Sequence, residues 1–412
     1  MKHDLDKLME ERNLDAILVT GPAQHNPAMV YLTGGGHMTN ADLIKVRGAD
    51  PVLYYNPMER EEAAASGLKT KNLVDFNWKE LMKQAGGDSN KAKALRYLKM
   101  FEEHGITAGR ISVYGQGEVG SSYAVLSALQ TAAPGLEIVG EDGQNSLMLT
   151  AMATKDRDEI ERIRKMGKIT TAVVGQVADF LSSHTAKNDV LVKADGNPLT
   201  VGEVKGKINL WLAEKGVENP HGTIFAIGRD AGIPHSTGTP ADVMALGKTI
   251  VFDIYPCEAG GGYHYDFTRT WCLGYAPDEV LALYEDVFDV YQKVMGELKV
   301  NALFKDYQAT ACELFEAQGH ATIKEDPSVQ EGYVHSLGHG LGLHVHEAPW
   351  SGSTASKEDI LAPGSVVTIE PGLYYPSTGM GCRLEDSVAV MPDGSFEILA
   401  DYPLDLILPV NG

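Results

Sequence analysis

The chain has no run of 18 or more apolar residues, although 43% of its 412 residues are hydrophobic. A helix that crosses a bilayer needs about 20 such residues in succession, so no membrane span is expected. The opening MKHDLDKLMEERN is charged throughout and has no apolar centre, so it does not read as a signal peptide. Cysteine is scarce. The four thiols, Cys257, Cys272, Cys312 and Cys382, lack zinc-type CxxC spacing. In a chain of this size they read as free thiols of a reducing cytoplasm. Basic residues are in deficit: 35 Lys and Arg against 56 Asp and Glu leave a formal charge of −21. Binding to nucleic acid or to anionic membranes calls for clustered cations, so both are disfavoured. No low-complexity tract and no short-period repeat occurs.

A chain this long exceeds what one core usually supports, so two domains are expected. Residues 1–153 read as an α/β domain. LDAILVT, DPVLYYN, RISVYG and LEIVG suit strands, and EREEAAASG and the stretch around YAVLSALQTA suit helices. Residues 154–412 form the second domain. It opens on a long amphipathic helix in which Ile160, Ile163, Val173, Val177 and Phe180 recur at helical spacing. Asp156 is its N-cap, and Glu159 completes a capping box. Further helices are expected at 201–216, 277–296 and near 306–318. The polar stretch 186–200 reads as a loop or linker.

Four carboxylates in that second domain fall into two pairs. Asp253 and Asp266 flank a Gly-Gly-Gly turn in TIVFDIYPCEAGGGYHYDFTRTW. Glu370 and Glu385 flank a Pro-Ser-Thr-Gly turn in SVVTIEPGLYYPSTGMGCRLEDSVAV. The flanks suit strands and the centres suit turns, so both segments read as hairpins. Residues equidistant from a turn face each other, and like charges so placed repel. The arrangement occurs twice, which implies an intervening cation. Two divalent ions balance four carboxylates, and a neutral imidazole from His339 completes the set. Oxygen ligands with one nitrogen and no thiolate favour Mn²⁺, with Co²⁺, Zn²⁺ or Fe²⁺ as alternatives. A two-metal site activates water as a nucleophile.

Between the hairpins lies GYVHSLGHGLGLHVHEAPW, which holds His335, His339, His344 and His346. His335 and His339 have i, i+4 spacing, but Gly338, Gly340 and Gly342 oppose a helix. The alternating glycines imply extended or looped chain with one bare face open to close approach. His344 and His346 would share a strand face. Such a density of histidine beside a metal site implies a ligand and an acid–base group.

The segments VFDIYPCEAGGGYHYDFTRT, HSLGHGLGLHVHEAP, TIEPGLYY and GCRLEDSV together resemble the motifs of the creatinase/aminopeptidase family, the pita-bread metallopeptidases. The HxxGHGxGLxxHEAP and IEPGxY forms most resemble its proline-specific branch. The resemblance implies an α+β pita-bread catalytic domain behind the α/β domain. It implies a dinuclear centre held by Asp253, Asp266, His339, Glu370 and Glu385, with Asp266 and Glu385 bridging. By the same resemblance, His235 (in PHSTG) belongs to the substrate pocket. His335 and His346 bind substrate and stabilise the tetrahedral intermediate, Glu370 is the general base, and Arg383 and Tyr374 stand beside the site. Thr268 and Arg383, each two residues from a carboxylate, could orient it by hydrogen bonding. His344 occupies a position where relatives often carry an acid. The implied activity is metal-dependent cleavage after an N-terminal residue, preferring Xaa-Pro peptides, in a cytoplasmic homodimer. An Xaa-Pro dipeptidase (prolidase) and an aminopeptidase P acting on longer peptides both fit. A metal-free C–N hydrolase and a non-enzymatic binding module on the same fold are further alternatives.

Three features compete with or extend this reading. GQGEVG at 115–120, with Glu137 downstream, matches a dinucleotide fingerprint, but Glu118 would set an anion beside the pyrophosphate. His37, in YLTGGGHMTN, either shapes substrate selection or sits in a simple turn. Trp350 either lines the substrate pocket or belongs to the core.

Overall fold

The computed structural model describes residues 4–411. The chain divides into two compact units. One runs to Met152 and includes Gly260–Gly262, and the other holds Ala153–Ala259 and Tyr263 onward.

The first unit is built on a six-stranded mixed sheet. Across the sheet the order is Lys69–Asn72, Val52–Tyr55, Ala41–Val46, Ala16–Gly21, Gly109–Gly115, Leu136–Val139. Four of these strands are legible as apolar runs. Ala41–Val46 is not, because Asp42 and Lys45 interrupt it. Both side chains are buried and paired. Asp42 accepts from Thr20, Tyr97 and Arg96, and Lys45 reaches Asp6 at 2.5 Å. The helix Ser89–Glu103 also escapes the apolar pattern. Tyr97, Met100 and Phe101 bury a narrow stripe that its Lys and Glu residues dilute.

GQGEVG forms the expected strand-to-helix turn, with Gly115 at φ +115°. Glu118 then caps the helix Val119–Ala132, accepting from the N–H groups of Gly120 and Ser121. Its own carboxylate fills the place a pyrophosphate would take. Glu137 pairs with Arg110 at 2.6 Å. The glycines serve turn geometry. His37 is exposed, and its Nδ1 lies 3.0 Å from Gln24 Oε1.

The second unit is α+β. The helix Arg157–Ser182 starts with the expected capping box of Asp156 and Glu159. It buries Ile160, Ile163, Val173, Val174 and Val177 along one face. Gly167 lets it approach the sheet closely, since a Cβ there would sit 2.6 Å from the Tyr265 ring. The helices Val201–Glu214, Asp278–Glu297 and Phe304–Ala317 follow as expected. Residues 186–200 are not purely loop. Thr185–Lys187 and Val190–Val192 form a small hairpin, turned at Asn188 and Asp189, both with positive φ. Asn and Asp tolerate that conformation, which lets a polar stretch pair.

Two sheets carry the acidic hairpins. Thr223–Ile227, Thr249–Ile254, Phe267–Leu273 and Ile407–Leu408 form one. Glu347–Trp350, His339–Gly340, Val366–Ile369, Asp386–Val390 and Phe396–Ile398 form the other, and Gly372–Tyr375 pairs separately with Met380–Arg383.

Candidate metal centre

Strand register decides which carboxylates meet. In the second hairpin the pairs Ile369↔Asp386 and Gly372↔Arg383 place position 370 opposite 385, as the turn spacing implies. In the first hairpin the expectation fails. Asp253 pairs with Thr268, and Cys257 bridges His264, so the turn centres one residue later, on Gly260-Gly261. Both glycines adopt positive φ, +84° and +76°, which a tight hairpin turn requires. Asp266 therefore lies diagonal to Asp253, two residues before Thr268 and on the same face. The isolated bridge Thr268↔Glu385 brings the two hairpins together.

The histidine segment is looped apart from two short strands, His339–Gly340 and Glu347–Trp350. His344 and His346 lie in a bend, not on a strand as the alternation implies, because the glycines break the ladder before Glu347. The bare face is used as expected. A Cβ on Gly338 would meet the Thr368 carbonyl at 2.0 Å, and one on Gly340 the Ala348 carbonyl at 2.0 Å. That close packing carries His339 into the cluster.

Asp266, His339 and Glu385 each offer a ligand atom, all within 4.8 Å of one another. His339 Nε2 lies 3.8 Å from Asp266 Oδ2 and 3.3 Å from Glu370 Oε1. Its Nδ1 sits 3.0 Å from the Gly340 carbonyl and donates to it. In the neutral ring this leaves the Nε2 lone pair facing the carboxylates. Arg383 anchors the other side. It donates to Asp253 Oδ2 at 2.5 Å and to Thr268 Oγ1 at 3.3 Å, and Thr268 in turn donates to Glu385 Oε2 at 2.6 Å. One oxygen of each carboxylate is thus occupied. Asp253 Oδ1 and Glu385 Oε1 remain buried without a hydrogen-bond partner among the described residues. Buried carboxylate oxygens normally find donors, and a cation is the partner that such an acceptor-only cluster lacks. The donor set fits a pair of divalent ions.

The electrostatics agree. Burial, and then the neighbouring Asp253, hold Asp266 well above the usual carboxylate range. Burial and then Asp266 do the same to Glu385. Burial also raises Asp253, against the opposing pull of Arg383. Burial opposes ionisation of Glu370 too, but the bond and charge of His339 override it and lower Glu370 to about 2. The reciprocal effect overcomes desolvation at His339 and lifts it to about 9. With no metal ion bound, His339 carries the positive charge that the carboxylates demand.

His335 is half-buried, 2.9 Å from the Tyr374 hydroxyl. His346 keeps an exposed edge and packs its ring 4.3 Å from that of His339. Surrounding protein, and then the His339 charge, push it down to about 4. His235 lies in an exposed turn, near enough to disfavour protonation of both His335 and His346. The His344 backbone donates to Glu347 Oε2. Trp350 is half-buried with its Nε1 unpartnered among the described residues.

Two supports escape the sequence reading. Lys155 and Glu347 form an ion pair at 2.5 Å, with side chains 2% and 0% exposed. Arg269, 2% exposed, reaches the backbone carbonyl of Glu385 and both carboxylate oxygens of Asp386. The sequence does carry a signal for Arg269: an arginine within FTRTWCL, where every residue is buried, requires a buried partner.

Residues 161–392 match the model of metallopeptidase family M24, and residues 3–143 match the creatinase/prolidase N-terminal domain. The chain is 24% identical over 399 residues to an Xaa-Pro dipeptidase of Pyrococcus furiosus, covering 96% of this chain and 97% of the relative. It is 30% identical over 258 residues to a probable dipeptidase PepE of Mycobacterium tuberculosis, covering 62% and 61% respectively. Among solved structures, an Xaa-Pro dipeptidase from Bacillus anthracis aligns with a TM-score of 0.75 at 21% identity over 98% of both chains. An X-Pro aminopeptidase from Thermotoga maritima aligns with a TM-score of 0.72 at 21% identity over 97% of this chain and 99% of that one. These structures share the fold, a creatinase-type N-terminal domain followed by a pita-bread domain. The first family match alone spans more than half the chain, and the chain belongs to metallopeptidase family M24, the divalent-metal-dependent pita-bread enzymes.

Proposed function

We propose that this protein hydrolyses the peptide bond after an N-terminal residue when proline follows, with Xaa-Pro dipeptides as its main substrates. One observation carries the reading. Among the described residues Asp253 Oδ1 and Glu385 Oε1 are buried without a hydrogen-bond partner, and Glu385 clusters with Asp266 and with His339, whose Nε2 faces the carboxylates. The relatives named dipeptidases support the substrate class. In this reading residues 154–412 are the catalytic domain and 1–153 the N-terminal domain.

Asp253, Asp266, His339, Glu370 and Glu385 would hold two divalent ions. Mn²⁺ suits the oxygen-rich set best, with Co²⁺, Zn²⁺ or Fe²⁺ as substitutes. When bound, the ions lower the pKa of a water molecule and polarise the scissile carbonyl. Glu370 stays ionised, takes the proton of the attacking water and passes it to the leaving imino nitrogen. His346, whose ring makes no hydrogen bond among the described residues, donates toward the developing oxyanion. His235, His335 and Tyr374 border the substrate, and Arg383 orients the Asp253 carboxylate. We place the enzyme in the cytoplasm as a homodimer acting on small peptides. No described helix is long and apolar enough to cross a membrane.

The test is hydrolysis of Ala-Pro, Ala-Ala, Met-Ala-Ser and Ala-Pro-Ala-Ala by chelated enzyme, with and without Mn²⁺. Metal-dependent cleavage of Ala-Pro alone supports the dipeptidase. Cleavage of the longer proline peptide moves the reading to aminopeptidase P, which the Thermotoga maritima structure favours as second choice. Preference for Met-Ala-Ser, or no cleavage with any metal, overturns it.

A further inference from the structure

For a neutral His335 ring the hydrogen bonds around it have one consistent direction. Arg383 has donors and no acceptor. Its Nη1 lies 2.5 Å from the Tyr374 hydroxyl oxygen, which must therefore accept. The single proton of that hydroxyl is then free to go elsewhere. His335 Nε2 lies 2.9 Å away. At the far side of the same ring, Nδ1 stands 2.8 Å from the Ser336 carbonyl oxygen. A carbonyl only accepts, so Nδ1 carries a proton. A neutral ring protonated on Nδ1 has its lone pair on Nε2, which accepts from Tyr374. The Ser336 carbonyl fixes the tautomer of the neutral ring, and the bond from Arg383 leaves the Tyr374 proton available to Nε2. The chain of donors runs from Arg383 through Tyr374 and His335 to the Ser336 carbonyl, each bond polarising the next.

We propose that Tyr374 holds His335 in the Nδ1–H tautomer, with Nε2 committed as an acceptor, so that His335 acts as a positioning residue and not as an oxyanion donor. This rests on the reading of the site as a peptidase centre and revises the role its motif implies. Tyr374 is wholly buried and Arg383 is 3% exposed, so the three groups have little freedom to exchange partners. Burial lowers the pKa of His335, which keeps the ring neutral and the tautomer unambiguous. The imidazole left to donate is His346. The task of His335 is to fix the Tyr374 hydroxyl, which in turn steadies the guanidinium that grips Asp253 Oδ2.

The test is ¹⁵N NMR of the full chain, labelled at histidine and loaded with diamagnetic Zn²⁺. His335→Gln identifies the signals by their loss. In the wild type the His335 Nδ1 is expected to show a one-bond proton coupling and Nε2 none. In Tyr374→Phe the Nε2 signal shifts as it loses its donor, while the Nδ1 proton stays. A proton on Nε2 in the wild type, or an Nε2 signal that Tyr374→Phe leaves unmoved, overturns the assignment. If Tyr374→Phe does not fold, the wild-type coupling still decides. The readout needs no turnover. Failure to cleave Xaa-Pro peptides would therefore refute the proposed function while leaving the tautomer standing, and the reverse also holds.

Discussion

Arg269→Met tests how far the centre depends on a residue that offers no ligand atom. All the guanidinium nitrogens of Arg269 are engaged. Nε donates to the Pro403 carbonyl at 3.0 Å. Nη1 donates to the carbonyls of Thr268 at 3.0 Å and Glu385 at 2.8 Å. Nη2 donates to Asp386 at 3.0 and 3.3 Å and to the Tyr402 carbonyl at 2.9 Å. Removing it leaves Asp386, buried and already raised by desolvation, with Tyr291 as its remaining hydroxyl donor. Breaking one side of a buried ion pair costs about 3–5 kcal/mol. The orphaned carbonyls push the cost toward the upper end. At about 2–4 °C per kcal/mol for a large domain, the melting midpoint of metal-free protein falls by roughly 6–20 °C. The double variant Arg269→Met/Asp386→Leu is the sharper assay, because exchanging both partners for apolar groups is often neutral. It should melt above Arg269→Met alone. A single variant that costs less than about 1 kcal/mol refutes the argument, on the scale of ordinary surface substitutions. A double variant that costs the sum of both single changes refutes it equally.

Other expectations are more local. Glu370→Gln, which keeps shape but cannot take a proton, should abolish turnover of Ala-Pro in metal-replete enzyme while circular dichroism stays native; near-wild-type turnover refutes its role as base. Asp156→Ala removes the cap of the 26-residue helix and should cost about 1 kcal/mol in denaturant unfolding; an unchanged midpoint would show that the cap adds nothing. His104 accepts from or donates to Tyr54 at 2.9 Å, and burial holds its pKa below the ordinary value. The unfolded chain then takes up the proton first as pH falls below about 6.5, so stability is full above that pH and drops below it. The melting midpoint between pH 7 and pH 5 should fall more steeply in the wild type than in His104→Gln, and parallel slopes would exclude this contribution.

The legible parts of the molecule share one property: their signal is local. The capping box at Asp156, the apolar stripe of the long helix and the bare glycines of LGHGLG are read from neighbours in the chain. The illegible parts depend on partners far away. Ala41–Val46 hides its strand because Asp42 and Lys45 are neutralised by residues elsewhere in the unit. The 185–192 hairpin depends on two non-glycine residues accepting positive φ. Turn spacing alone matches Asp253 with the wrong cross-strand partner, because a shift of one residue in the turn moves every pair.

By itself the sequence determined the chemistry: four acids, a histidine set and turn glycines in an order that allows a metal cluster. Tertiary structure alone decided which oxygen of Asp253 and of Glu385 is spare, which nitrogen of His339 faces the carboxylates and which way the protons point around His335. The reason is physical. Residue type sets what a group can donate or accept, but burial and the bridge between Thr268 and Glu385 determine which of those capacities remain unused.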